Sequence, residues 1–406
     1  MRFFLFFVCA PFWLLHPEAA TAAPALVPPD SAYPAPFWLL KLCLILLFFI
    51  HIVLVNVTIG MTALSFCRIR RHGGAAALSA DAAPIPKALA LAINFGVAAY
   101  LFLQVLYGRF VYPTGVLIAV WWVAAPLFLI FAYYALYIAY EAPPEGRRSS
   151  RLLVGLTLAL FFAVAGVFVT NATLMLKPGD WAGWLEAPYG MMTHVAEPSF
   201  APRYLHIVFA SLAVGGLALA LKAEWASGRA PATDSGALAD LDSGLRWFTR
   251  ATLAQMAAGI WFLFTLPEPV RELFLGGGLL HATTLLLAVT GACSALYFAH
   301  KRKPKQAAAA TLGVILVMVA ARDLLREAML LPYTQGLHPT PEALAGHGAS
   351  SVLPVMLPQG QTAAFLLFLG CCLLAAALAV WIARVSVRAF ARPATTDRAP
   401  ERPDGA

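Results

Sequence analysis

Residues 49–60 read Phe49-Ile50-His51-Ile52-Val53-Leu54-Val55-Asn56-Val57-Thr58-Ile59-Gly60 and lie inside an apolar run extending from 37 to 66. A helix needs about 20 apolar residues to cross the hydrocarbon core of a bilayer, and this run exceeds that length. His51 falls midway along it. A polar ring at that depth has to be satisfied by neighbouring protein groups, so the stretch predicts a membrane helix that also carries a polar task. Comparable runs follow near 85–108, 114–140, 152–176, 203–222, 247–266, 278–299, 308–331 and 362–384. The expected fold is therefore an all-α polytopic membrane protein, a bundle of about nine transmembrane helices.

Composition agrees. Of 406 residues, 61% are hydrophobic and 12% charged, with a mean hydropathy of +0.77. A soluble domain carries about twice that charged fraction. The net charge of +8 does not point to nucleic acid, because the lysines and arginines cluster at the ends of apolar runs. Cys67-Arg68-Ile69-Arg70-Arg71, Arg147-Arg148 with Arg151, Lys222 with Arg229, Lys301-Arg302-Lys303-Pro304-Lys305, and Arg384 with Arg388 occupy every second connection. The positive-inside rule then sets the N-terminus outside and the C-terminus in the cytoplasm of a bacterial-type cytoplasmic membrane. Met1-Arg2, the apolar stretch Phe3 to Leu15 and Ala20-Thr21-Ala22 read as a signal peptide over 1–22, with an uncleaved anchor helix as the alternative. Residues 23–390 form the transmembrane domain, and 391–406, rich in Arg, Pro and Asp, read as a disordered cytoplasmic tail. No short-period repeat stands out. Tyr107, Tyr112, Trp181, Trp184, Trp247 and Tyr333 gather at span ends, as interfacial belts do. Cys9, Cys43, Cys67, Cys293, Cys371 and Cys372 form no CxxC or CxxCH motif, which excludes covalent c-type haem attachment, a zinc site of that spacing and a disulfide framework.

The informative groups are polar residues within the apolar runs. His206 and His281 lie near the outer ends of two different spans, at similar depth. A b-type haem needs two axial ligands on facing helices with its propionates near water or arginine, and this pair meets that need. It is equally met by two unrelated histidines bonded to backbone or water. His51 has the corresponding alternative of a hydrogen-bonded core histidine. The eighth run carries Arg322, Asp323, Arg326 and Glu327; the arginines share one face and the acids the next. Four ionisable groups there should face the bundle interior, either holding haem propionates and iron or forming a mutually neutralised ion-pair cluster. Gln104, Asn94 and Asn171 are further intramembrane polar groups, equally suited to joining helices.

Several segments together resemble subunit I of the cytochrome bd quinol oxidase family, collinearly along most of the first five spans. The segment 49–60 resembles the family's first-span histidine segment, whose histidine ligates an oxygen-site haem. Ile93-Asn94-Phe95-Gly96 is similar to the start of its second span, and Asn171-Ala172-Thr173-Leu174-Met175-Leu176-Lys177-Pro178 to the Asn-Gly-Trp-Met-Gln-Asn-Pro segment ending its fourth. Tyr204-Leu205-His206-Ile207-Val208-Phe209-Ala210-Ser211 resembles the fifth-span segment whose histidine ligates the low-spin haem. The departures are also informative. His281 stands where the family has a methionine ligand, implying a bis-histidine haem. The long outer loop that binds quinol is reduced to about Glu268 to Gly277, and the Gly-Arg-Gln-Pro-Trp motif is replaced by Arg322-Asp323-Leu324-Leu325-Arg326. Asp323 would stand for the preceding haem-ligating glutamate. Val116 to Phe128 holds no acid, and Gln104 occupies the second-span glutamate region.

The resemblance thus implies one or two haem b groups, ligated by His206, His281 and His51, with Asp323 or Glu327 as a further ligand and Arg322 and Arg326 on propionates. The expected function is electron transfer between the quinol pool and a partner cytochrome or oxidoreductase subunit, within lipid and beside other membrane subunits. A divergent quinol-oxidising oxygen reductase and a haem-free scaffold or transport subunit are the alternatives.

Overall fold

The computed structural model describes residues 37–72, 85–141, 147–186, 189–227 and 235–334, with isolated positions between 370 and 381. The expected signal peptide, the cytoplasmic tail and almost all of the ninth expected span lie outside these residues. Every regular element described is helical. The helices are α1 (Phe37–His72), α2 (Ile85–Leu117), α3 (Ala119–Glu141), α4 (Arg147–Met175), α5 (Phe200–Ser227), α6 (Ser235–Phe264), the short α7 (Glu268–Glu272), α8 (Leu279–His300) and α9 (Pro304–Thr334). A 3₁₀ segment, Pro178–Leu185, follows α4, and a π-helical turn, Leu273–Gly277, joins α7 to α8. The chain divides into a unit containing all nine helices, Phe37–Leu344, and a second unit built mainly from Ala345–Ala406.

Among the described residues seven helices, α1 to α5 with α8 and α9, are long and apolar enough to cross a membrane, which makes this a multi-pass membrane protein. The expected sixth span falls on α6, which is not among the seven. Its 30 residues carry Asp240, Asp242, Arg246, Arg250 and Gln255, and it begins a dozen residues ahead of the apolar part. The second span is also longer than expected. Helix α2 kinks at Tyr107 (φ −134°, ψ 28°) and continues past Pro113 to Leu117, leaving one residue before α3. Large apolar side chains such as Val123, Phe131, Leu152 and Leu286 point outward, as a lipid solvent permits.

Helix pairing follows a simple scheme. The broadest interfaces join α1 to α2, α3 to α4, α5 to α6 and α8 to α9, and α1 packs on α5 between the two sets. Burial of apolar surface gives little drive between helices in lipid, so close approach depends on small residues and interhelical hydrogen bonds. At the α1–α5 crossing, a Cβ on Gly60 would lie 2.0 Å from the Ser211 carbonyl, and one on Gly215 would lie 2.4 Å from Gly60 backbone. Ser211 Oγ donates to Asn56 Oδ1 at 2.9 Å in the same crossing. Gly216 and Gly244 bring α5 and α6 together in the same way. At one end of the bundle Arg68–Asp240, Arg302–Asp242 and Lys305–Glu224 form ion pairs at 3.3, 2.7 and 3.7 Å.

Candidate functional site

The C-terminal half of α9 is the hub of the polar interior. Asp323 and Arg326 are buried there, and Lys41, one turn into α1, is completely so. The Lys41 ammonium donates to Asp323 Oδ2 and lies 2.5 Å from Glu327 Oε1. Arg326 Nη1 donates to Asp323 Oδ1 at 2.6 Å. Two cations and two carboxylates thus cancel, which is the condition for holding charge at such a depth. The acids share one α9 face, as their i, i+4 spacing requires. Both oxygens of Asp323 are engaged, so iron ligation by Asp323 would compete with two ion pairs. This geometry corresponds to the neutralised-cluster alternative for Asp323, Arg326 and Glu327.

Tyr107 belongs to the same cluster, not to an interfacial belt. Its ring lies 5.4 Å from Lys41 Nζ and 4.9 Å from the Arg326 guanidinium. Its hydroxyl is buried without a hydrogen-bond partner among the described residues. The α2 kink at Tyr107 falls where this ring enters the cluster.

Arg322 stands apart. Its guanidinium lies 4.3 Å over the Phe48 ring, which is itself 5.8 Å from the His51 ring. It is within electrostatic range of His51 and of Arg203 on α5. The Arg203 guanidinium rests 4.9 Å over Phe262, and its Nε has no hydrogen-bond partner. Neither arginine has a carboxylate within 4 Å among the described residues. Arg322 is exposed and Arg203 half-buried, and the two guanidiniums, in electrostatic range of each other, can be met by an anion or by solvent. Arg326, in contrast, is committed to Asp323.

His51 and His206 are built alike. His51 Nδ1 lies 2.8 Å from the Ala92 carbonyl of α2, and His206 Nδ1 lies 3.0 Å from the Gln255 carbonyl of α6. Only a protonated Nδ1 can make these bonds, which turns Nε2 into the acceptor. In each case the carbonyl precedes a glycine by four residues, and that glycine accommodates the ring. A Cβ on Gly96 would lie 2.6 Å from the His51 ring, and one on Gly259 would lie 3.2 Å from the His206 ring. The sequences correspond as well. His51-Ile52-Val53 runs to Gly60 as His206-Ile207-Val208 runs to Gly215, and the pairs Asn56/Ser211 and Gly60/Gly215 meet across the parallel helices α1 and α5. One helix-pair design thus occurs twice. A metal-ligating histidine is fixed in this manner, with the distal ring nitrogen donated to a carbonyl and the other left for the metal.

The surroundings differ. Gln255 Nε2 lies 3.2 Å from His206 Nε2, so the amide caps that nitrogen. His281, only 4% exposed, meets Phe274 edge-on at 5.1 Å. Gly278 gives its ring room. His206 is thus held against α6 through the Gln255 carbonyl, while His281 is placed by packing. Gln104 is half-buried on α2. Asn171 Nδ2 donates to Thr114 Oγ1 at 3.1 Å, joining α4 to α2, and Asn94 donates to the Ala90 carbonyl.

Lys41, Arg203 and Gln255 are the site residues that the sequence reading passed over. Lys41 carried a signal in being a lone lysine inside an apolar run. Gln255 gave none beyond its polarity, because its main contribution is a backbone carbonyl. No protein-family model matches the chain, and comparison with curated proteins finds no match either.

Proposed function

We propose that the chain is a b-type haem subunit of a bacterial cytoplasmic membrane, transferring electrons between the quinol pool and a partner cytochrome or oxidoreductase subunit. The observation that carries this reading is the repeated histidine mount. His51 and His206 each hold Nδ1–H on a backbone carbonyl beside a glycine that makes room for the ring, leaving Nε2 as the basic nitrogen. Arg322 and Arg203, with no carboxylate within 4 Å among the described residues, supply the positive charge that carboxylate-bearing cofactors need. His281, buried against Phe274, is the third ligand candidate. Bound haem supplies one-electron chemistry, and ligation by two histidines saturates the iron, which suits electron transfer over ligand chemistry.

The protein contributes orientation and charge. Gly96 and Gly259 set the ring positions, the α9 ion cluster keeps Arg326 and Lys41 neutralised, and the α1–α5 crossing holds His51 and His206 at a common register. Nine spans, an outer N-terminus and a cytoplasmic C-terminus complete the reading. The ion pairs of Arg68, Arg302 and Lys305 at one end of the bundle support that orientation through the positive-inside rule.

The test is a dithionite-reduced minus oxidised spectrum of the full-length protein purified in mild detergent. A b-type α-band is expected, lowered in separate portions by His51→Ala and His206→Ala. If His281 shares the His206 cofactor, His281→Ala removes the same portion as His206→Ala. A folded preparation without Soret absorbance would overturn the proposal.

A further inference from the structure

The end of the bundle away from the histidines holds a cleft of about 260 Å³ between α6 and the turn joining α8 to α9. Its floor is Leu245 and Ala299, and its charged lining includes Arg246, Arg250 and Arg302. Arg246 and Arg250 lie one turn apart on α6 and are exposed. Neither has a carboxylate within 4 Å among the described residues. Arg302 adopts a left-handed backbone conformation with φ 54°, which a non-glycine residue rarely takes. That conformation sets its guanidinium 2.7 Å from Asp242 Oδ1. Three guanidiniums face one carboxylate, so the cleft keeps a net positive charge above an apolar floor. Thr249 adds a hydroxyl to the lining.

Arginine forks match phosphate oxygens in pairs, and basic recesses between membrane helices recognise anionic headgroups. An inorganic phosphate would gain nothing from Leu245 and Ala299, whereas a phosphodiester carrying acyl chains uses both the arginines and the apolar floor. We infer that this cleft binds the phosphate of an anionic phospholipid headgroup, with Arg246 and Arg250 as its principal donors and Arg302 as a third donor positioned by Asp242. The inference is independent of any haem, since it uses the opposite end of the bundle.

The experiment uses full-length protein, delipidated in detergent, exposed to phosphatidylglycerol or phosphatidylcholine vesicles and repurified, with retained lipid counted by mass spectrometry. Retention of phosphatidylglycerol over phosphatidylcholine is expected. At about 1 kcal/mol for each arginine near the surface, Arg246→Gln should lower retention about fivefold and the Arg246→Gln/Arg250→Gln pair about thirtyfold. Lysine at both positions should restore part of it. Lys301→Gln, on a side chain packed over Tyr297 and outside the cleft, should leave retention unchanged. Equal retention by the double glutamine variant, or equal loss on Lys301→Gln, would overturn the site. Displacement of the lipid by equimolar inorganic phosphate would overturn the lipid as its occupant.

Discussion

The His51 and His206 mounts share a helix pair, a carbonyl and a glycine, and they differ in what lies around the exposed ring nitrogen. Beside His51 stand Phe48 and the Arg322 guanidinium, backed by the α9 ion cluster. Beside His206 stands the neutral Gln255 amide. The same backbone construction therefore serves one electropositive and one neutral environment. The difference shows that ring position is a property of the α1–α2 and α5–α6 pairs, while the electrostatics come from α9. Changes on α9 should disturb one mount, and changes at the shared α1–α5 crossing should disturb both.

The largest asymmetry to break is the ion cluster. Asp323→Asn removes the carboxylate that serves both Lys41 and Arg326 and leaves a buried cation unpaired. Breaking a buried pair from one side costs about 3–5 kcal/mol, so thermal unfolding in detergent should show a large drop. The Asp323→Leu/Arg326→Leu double variant, which deletes the carboxylate together with Arg326 and leaves Lys41 paired with Glu327, should lose less than Asp323→Asn alone. Gln255→Leu, the nearest counterpart at the other mount, keeps its backbone carbonyl and should cost about 1 kcal/mol or less. Equal losses for Asp323→Asn and Gln255→Leu would remove the asymmetry.

The glycines sharpen the comparison. A methyl at position 96 would sit 2.6 Å from the His51 ring, where the ring must move, and one at 259 would sit 3.2 Å from His206, where a small shift suffices. Gly96→Ala should therefore cost about 1–3 kcal/mol, as overpacking does, and Gly259→Ala less than about 1 kcal/mol. Parallel thermal melts of the two variants check the order. A reversed order would mean that the α5–α6 pair, not α1–α2, is the tighter mount.

How much of this was legible in sequence follows from what each residue contributes. The apolar runs forecast α1 to α5, α8 and α9 within a few residues, because a lipid solvent imposes one composition on every span. The boundary at α2 was missed: the apolar run ends at 108, just ahead of Arg109, yet the helix kinks at Tyr107 and continues through Pro113 to Leu117. Arg322, Asp323, Arg326 and Glu327 declared themselves by charge in an apolar run; the expected inward orientation holds for Asp323 and Arg326, while Glu327 is half-buried and Arg322 is exposed. Their pairing did not, since it depends on Lys41, which lies 282 residues from Asp323. The duplicated mount recurs once, at a separation of 155 residues for Asn56 and Ser211. A single recurrence leaves no periodicity, and two of its members, the carbonyls of Ala92 and Gln255, have no side-chain signature at all.

The link between the mounts is a smaller effect. Ser211 Oγ bonds Asn56 Oδ1 and also the Ile207 carbonyl, so Ser211→Ala removes one interhelical bond. Such bonds average about 0.6 kcal/mol inside membrane proteins. A loss of that size is expected on thermal melting, together with equal weakening of both mounts, read as equal sensitisation of the Gly96→Ala and Gly259→Ala backgrounds. Sensitisation of only one background would show that the two helix pairs do not lean on a common crossing.

The smallest expected effect lies where the chain enters α5. Glu197 accepts bonds from the Lys177 ammonium, the Ser199 hydroxyl and the Ser199 amide, the last at 2.8 Å. Burial pushes its carboxyl upward, and these donors more than offset that push, holding it below the ordinary carboxylate range. A folded-state value below the unfolded one means that the unfolded chain takes up the proton first. The contribution is therefore complete above the unfolded value near 4.5 and declines as pH falls below it. Because Lys177 is partly exposed, solvent screening limits the effect to about 0.5 kcal/mol. Melts of the wild type and Glu197→Gln between pH 7 and pH 3 should converge on the acid side, since the variant lacks that titration. A constant gap across the range would assign Glu197 a packing role with no charge component, and the entry to α5 would then owe its geometry to the Phe200–Tyr204 ring stack.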